Sequence, residues 1–269
     1  MDRRSLGRTG LEVAPIGFGA VKIGRNRGLK YPRGHALPDA AGVGRLLHGI
    51  VDLGINLIDT APAYGTSEAL IGRHLAARRD EIVLATKVGE RFGDGRSTFD
   101  FSAAGLRRSI DASLRALRTD AVDILLLHSD GHDLDILAHS DAVPVLMEAR
   151  ERGRARCIGL SGKTVAGARA ALGWADVLML TYNLDDASHA PVLAEAAAAG
   201  VGVLVKKALA SGHLDAAAAI AFATAPAAVG AAVIGSLSLD HMRQNLAAAR
   251  DPAAAHGTPR ATPGDRPHA

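Results

Sequence analysis

"VDILLLH" (122–128) is a run of seven residues in which only Asp123 and the closing His128 are polar. It is too short for an ordinary helix and suits a strand. A strand that is apolar on both faces is covered on both, which is the mark of a parallel sheet with helical crossovers. Comparable runs stand at 16–20 (IGFGA), 55–59 (INLID), 82–87 (IVLATK), 156–161 (RCIGLS), 177–183 (VLMLTYN), 201–206 (VGVLVK) and 231–235 (AAVIG). Segments of helical period separate them. In 102–118, Leu106, Ile110, Leu114 and Leu117 share one face, and Ser102 is placed to cap the helix.

Repeated strand–helix units of this kind predict an α/β fold, a closed (β/α)8 TIM barrel. A doubly wound open sheet has the same pattern and stays open, because counting repeats does not show closure. "SLGRTGLEVAP" (5–15), with Thr9-Gly10 at its turn, predicts an N-terminal β-hairpin ahead of the barrel. Residues 1–250 are expected to form a single unit. The tail 251–269, rich in Pro and Gly and without an apolar period, reads as disordered.

Composition narrows the function classes. With 48% hydrophobic and 22% charged residues, the chain has enough apolar material for a large core. The formal charge is +3, and the basic residues are scattered without interleaved aromatics, which speaks against a nucleic-acid partner. One cysteine, Cys157, leaves no intrachain disulfide. Together with a polar start lacking a secretory signal, this gives a cytoplasmic expectation. "AAAAIAFATAPAAVGAAVI" (216–234) is uncharged, but Pro226 and Gly230 interrupt it, so it reads as a buried helix and strand rather than a membrane span.

A barrel gathers the carboxyl ends of its strands on one rim. There Asp59, Tyr64, Lys87 and His128 would meet, from the second, third and fourth predicted strands and the loop "TAPAYG" after the second. An ammonium beside a phenol favours phenolate and lowers its pKa, and Asp59 can hold Lys87 in place. His128 can donate a hydrogen bond to a carbonyl oxygen. Tyr64 would then protonate that oxygen as something else attacks carbon. Each residue alone also has a structural explanation, as a cap, a solvated lysine or a packed histidine; it is their coincidence on consecutive strand ends that suggests a site.

The blocks "LGRTGLEVAPIGFGA", "GINLIDTAPAYGTSEALIG", "ATKVG", "DILLLHS", "GRARCIGLSGKT", "TYNL", "GVLVKKALASG" and "VIGSLSLDHMRQNLAAA" span about residues 5–249. They resemble the aldo-keto reductases, and "DTAPAYG" is the most specific of them. The resemblance implies a barrel that binds NADPH, or NADH, and reduces an aldehyde or ketone, with Asp59, Tyr64, Lys87 and His128 as the catalytic four. It implies Gly19 and Ala20 beside the nicotinamide, Ser161 on its carboxamide, and Leu209 in the same region. Gly235, Leu237, His241, Gln244 and Asn245 would hold the phosphates and adenine, with Arg243 near a 2′-phosphate. Two positions depart from the family pattern. Met179 stands where a glutamine is usual, and Lys206 where an aromatic stacks on the nicotinamide; a cation there would repel the oxidised ring or hold an anionic substrate group.

Other motifs point less far. "SGKT" (161–164) lacks the first glycine of a P-loop and reads as a helix start, and Gly17 and Gly19 begin a GxGxxG pattern that fails at Lys22. "HSDGHDLD" (128–135) could ligate a metal through His128, His132 and Asp130, an alternative that makes the chain a metal-dependent hydrolase. The basic loop with Lys22, Arg25, Arg27, Lys30 and Arg33 is solvated by default and could select an anionic substrate. A second alternative is a cofactor-binding sensor with little turnover, as in the potassium-channel beta subunits of the resembled family. The carbonyl substrate and the oligomeric state are not read from the sequence.

Overall fold

The computed structural model describes residues 3–29, 31 and 34–250. The barrel strands are β3 (Ile16–Gly19), β4 (Leu57–Asp59), β5 (Val83–Val88), β8 (Val122–His128), β9 (Ala155–Ser161), β10 (Val177–Thr181), β11 (Gly202–Lys206) and β12 (Val229–Ile234). They pair in parallel and in chain order. β12 returns to β3 through Ala232 opposite Ile16, Val233 opposite Gly17 and Ile234 opposite Phe18. This pairing closes the barrel and removes the open-sheet alternative.

The hairpin pairs β1 (Arg4–Ser5) with β2 (Glu12–Val13) antiparallel, as the turn at Thr9-Gly10 predicts. The Asn56 side chain pins it, accepting from the Ala14 amide at 2.9 Å and donating to the Glu12 carbonyl at 2.8 Å. A second hairpin, β6 (Glu90–Gly93) with β7 (Arg96–Phe99), stands on the rim after β5 and was not anticipated from the sequence.

The strand period sets the core. Within β8, Ile124 and Leu126 point into the barrel, while Leu125 and Leu127 face the helices. The interior is filled by Leu57, Ala85, Met179 and Leu204, with Leu6 and Leu11 of the hairpin plugging its base. A barrel packed this way has no through-channel, so chemistry is confined to the rim.

The helices are α1 (Val21–Gly24), α2 (Ala40–Asp52), α3 (Ser67–Leu75), α4 (Ala103–Leu117), α5 (Asp133–His139), α6 (Ala142–Glu151), α7 (Val165–Ala171), α8 (Ala190–Ala199), α9 (Ala216–Thr224) and α10 (Leu239–Arg250). Ser102 caps α4 by accepting from the Gly105 amide at 3.2 Å. Thr164 caps α7 through the Gly167 amide at 3.0 Å, so "SGKT" is a helix start. The alanine-rich stretch divides into α9 and β12. Among the described residues no helix is long and apolar enough to cross a membrane. The tail 251–269, together with Lys30 and Arg33 of the basic loop, lies outside the described residues.

Candidate active site

Asp59 ends β4 and His128 ends β8; Lys87 is the penultimate residue of β5, and Tyr64 closes the short 3-10 turn Pro62–Tyr64 that follows β4. The fold therefore brings the four together. Lys87 Nζ donates to Asp59 Oδ1 at 2.6 Å and to the Thr60 carbonyl at 2.9 Å. It lies 4.9 Å from the centroid of the Tyr64 ring. The rings of Tyr64 and His128 meet edge to face, 6.3 Å apart and at 88°.

Electrostatics around this cluster follow from burial. Lys87 and Asp59 are 1% and 2% exposed. Burial alone would lower the Lys87 pKa, but Asp59 and Tyr64 outweigh it and hold the amine above the ordinary lysine value. Burial raises Asp59 against the pull of Lys87. We take the pair as ammonium and carboxylate, since the amine finds two oxygen acceptors within 2.9 Å.

For Tyr64 the expected lowering is overruled. Lys87 does pull the phenol down, but burial is the larger effect and Asp59 adds to it, so the value is pushed up to about 12. The phenol is therefore fully protonated at neutral pH. His128 is pushed down to about 4, chiefly by burial and further by Lys87 and Lys206, against the raising effect of Glu90. The imidazole is neutral.

Glu90 is the functional-looking residue that sequence reading missed. Its Oε2 lies 3.0 Å from His128 Nδ1. The contact is one of proximity and not a hydrogen bond, and the buried Nδ1 has no hydrogen-bond partner. Gly89, with φ of +105° and the Phe101 ring 2.6 Å from where a Cβ would sit, makes the turn that swings Glu90 toward β8. The rule that strand ends face the rim, applied one loop further, would have found it.

A cavity of about 290 Å³ opens at this rim, bounded by Tyr64, His128, Ser161, Met179, Lys206 and Gly235 among others. Gly19, Leu209 and Asp59 also line it, as do Lys22, Tyr31, Lys163 and Lys207. Ala20 is fully buried and does not reach it. Leu237, His241, Gln244 and Asn245 lie outside it, on the turn after β12 and on the first two turns of α10. Arg243 pairs with Asp240.

Ser161 Oγ accepts from Lys206 Nζ at 3.0 Å, and Lys206 also donates to the Gly162 carbonyl at 2.6 Å. Its ammonium is enclosed although the residue keeps some exposure to the cavity. Burial, Lys207 and Lys87 push its pKa down to about 7.

The basic loop divides. Lys22 lines the cavity, with Nζ 4.3 Å from the Tyr31 ring centroid. Arg25 instead braces the rim, donating to the Ala63 carbonyl at 3.1 Å and stacking on Phe92 at 3.6 Å. The metal alternative loses its ligand set. His132 sits at the surface with Nδ1 3.1 Å from Asp130, whereas His128 faces Tyr64, and Asp133 is taken up by Ser129, Lys163 and Thr164. Among the described residues no group of three or more histidines, cysteines or acids comes together as a metal site.

The cavity suits a nicotinamide cofactor. Gly235 and Gly19 form a bare edge, since a Cβ on Gly235 would lie 3.0 Å from the Gly19 carbonyl oxygen. The four lysines that line the cavity match a polyanion, while its acid, Asp59, is already paired.

A closed parallel barrel carrying its titratable groups at the carboxyl rim has the architecture of a barrel enzyme. The chain belongs to the aldo/keto reductase family, whose profile it matches over residues 15–218. It superposes with a TM-score of 0.85 on the crystal structure of a Pseudomonas aeruginosa protein assigned to the aldo-keto reductases, at 45% identity and covering 94% of each chain. L-Galactose dehydrogenase of Arabidopsis thaliana is 36% identical over 80% of this chain and 67% of its own length. 6-Dehydroglucose reductase of Novosphingobium aromaticivorans is 36% identical over 60% of this chain and 51% of its own length. The matches thus span from two thirds down to half of those relatives. Members of that family act on small carbonyl compounds, generally with nicotinamide cofactors.

Proposed function

We propose that this chain is an NAD(P)H-dependent carbonyl reductase with Tyr64 as its proton donor. The observation that carries the reading is the buried Lys87 ammonium, 2.6 Å from Asp59 and facing the Tyr64 ring, behind the cavity that Asp59 and Tyr64 line. Bound there, a nicotinamide cofactor would supply the hydride. Tyr64, protonated at neutral pH, hydrogen-bonds the substrate oxygen and passes its proton as negative charge grows there. Lys87 stabilises the phenolate left behind, and Asp59 keeps the ammonium in place. His128, on the same wall, orients the oxygen.

Gly19, Ser161, Lys206 and Leu209 would border the nicotinamide, with Ala20 behind them, and Gly235 would face the phosphates. Leu237, His241, Gln244 and Asn245 would hold the adenine end. NADPH is the expected cofactor and NADH its competitor, because Arg243, the cation nearest the expected 2′-phosphate position, is engaged by Asp240. The substrate is a small aldehyde or ketone.

Tyr64→Phe tests this. Turnover is expected to fall by roughly 10² to 10⁴, while fluorescence titration with NADPH gives the same Kd as the parent. Near-normal activity in the variant would remove Tyr64 from the role. The sensor reading is kept alive by Lys206, whose charge lies in the cavity wall where an oxidised ring would feel it. Single-turnover mixing of NADPH-loaded protein with small aldehydes separates the two, since a sensor consumes its cofactor slowly or not at all.

A further inference from the structure

We infer that Lys206 is a second carbonyl-reactive group of the cavity: its amine condenses with an aldehyde that carries a carboxylate, and the product is an imine at Nζ. The inference goes beyond the reductase reading and needs no cofactor.

The chain is sparing with lysine. Of its 31 lysines and arginines only six are lysine. Four of them, Lys22, Lys163, Lys206 and Lys207, line the cavity, which no arginine does among the described residues. Lys87 stands behind it, and Lys30 lies outside the described residues. Arginine makes the surface ion pairs instead, as in Arg107–Glu148 and Arg169–Glu195. The two cations differ in what burial does to them: a guanidinium keeps its proton, whereas a desolvated lysine amine gives it up and gains a nucleophilic lone pair.

Lys206 meets that condition through its neighbours. Nζ donates to Ser161 Oγ at 3.0 Å and to the Gly162 carbonyl at 2.6 Å, both of them neutral acceptors. Among the described residues no carboxylate pairs with it: Asp59 is held by Lys87, and Asp133 by Ser129 and Thr164. A neutral amine has two hydrogens, one for each acceptor, so its lone pair takes the position left over. An ammonium has a third N–H, for which the described residues offer no acceptor. Burial and the cations Lys207, Lys87 and Lys163 favour the neutral form against the pull of Asp133, and both forms are present at about pH 7. Lys22, Lys163 and Lys207 have no ion pair among the described residues and suit a carboxylate on the incoming aldehyde.

The condensation balances without a further reagent. The lone pair attacks the aldehyde carbon, a C–N bond forms, and the carbonyl π pair moves to oxygen, which takes a proton from nitrogen through water. The nitrogen pair then forms C=N and expels the oxygen, which leaves as water with the second amine proton.

Sodium cyanoborohydride, which reduces an imine to a stable secondary amine, tests this on the full chain without cofactor. With succinic semialdehyde, peptide mass spectrometry is expected to find the adduct on Lys206 about tenfold ahead of every other lysine and of the N-terminal amine, because more of this amine is unprotonated. Trapping should also be about tenfold faster than with butanal, the uncharged chain of equal length. Lys206→Arg, which keeps the charge and removes the nucleophile, should bring total labelling down to the slow background, and Lys207→Met should narrow the preference for succinic semialdehyde over butanal. Labelling spread evenly over the lysines would overturn the inference, and equal trapping of the two aldehydes on Lys206 would overturn the carboxylate preference. NADPH-dependent reduction of either aldehyde with no adduct at Lys206 would sink the amine and leave the reductase reading standing; an adduct at Lys206 with no reduction would do the reverse.

Discussion

At Lys87 a full positive charge sits with 1% of its surface exposed, between a carboxylate and a phenol. Lys87→Met leaves Asp59 buried without its partner, and such a change costs about 3–5 kcal/mol. Adding Asp59→Asn should return much of that loss, and urea unfolding of the single and double variants reads the difference. Equal stability of the single variant and the parent would mean that the pair is not held by charge. Lys206 carries the opposite kind of penalty. Its folded value of about 7 lies below the ordinary 10.5, so between those limits the unfolded chain binds more protons and stability rises with pH. The penalty is complete below about pH 7 and fades above it. Lys206→Met should therefore stabilise the fold by roughly 1–3 kcal/mol at about pH 6 and by less at about pH 9. A gain that grew with pH would reverse the assignment.

The elements differ in how far their sequences betray them. α4 is legible from spacing and cap alone: its apolar residues recur on one face and Ser102 accepts from the Gly105 amide. Ser102→Ala should lower stability by about 1 kcal/mol, read as a lower urea midpoint with the helix otherwise intact. The first hairpin is legible at its turn, but its role as a plug is not. Leu6 is fully buried in the barrel interior, and Leu6→Ala should destabilise by about 2–5 kcal/mol; a loss near zero would mean that the plug carries no packing. The rim hairpin had its signal in "FGDGRS", where Asp94 and Gly95 take φ of 49° and 79°, the left-handed pair of a tight hairpin turn. β7 is exposed along its whole length and β6 has a single apolar side chain, Phe92, so the pair lacks the run of apolar alternation that marks a strand, and the turn signal stood without support. With that hairpin went Glu90, whose carboxylate lies 3.0 Å from His128 Nδ1.

For the molecule as a whole, closure converts eight separate strand ends into one rim. The catalytic proposal depends on closure less than it first seems, because β4, β5 and β8 are neighbours even without it. The cavity does depend on it: Gly19 of β3 meets Gly235 after β12, and Lys206 of β11 reaches Ser161 of β9 across β10. Ligand binding to such a rim is linked to global stability. NADPH or NADH at a hundred times its Kd should stabilise the fold by about 2.7 kcal/mol, raising Tm by roughly 5–10 °C for a chain of this size. Thermal melts with each cofactor would show it, and the larger shift at equal concentration names the preferred one. No shift with either would remove the nicotinamide reading.

The sequence by itself determined the eight buried strands, the parallel class of sheet, the hairpin in front and the set of Asp59, Tyr64, Lys87 and His128, because hydrophobic period and strand-end position are local properties of the chain. It did not determine the sign of the Tyr64 shift, the partner of His128 or the tether of Lys206. Those depend on burial and on which side chains converge from distant segments. Lys87 favours the phenolate as its charge predicts, but only the assembled rim decides that desolvation is the stronger effect. Only there do Glu90 and His128, separated by the rim hairpin, α4 and most of β8, come to 3.0 Å from each other.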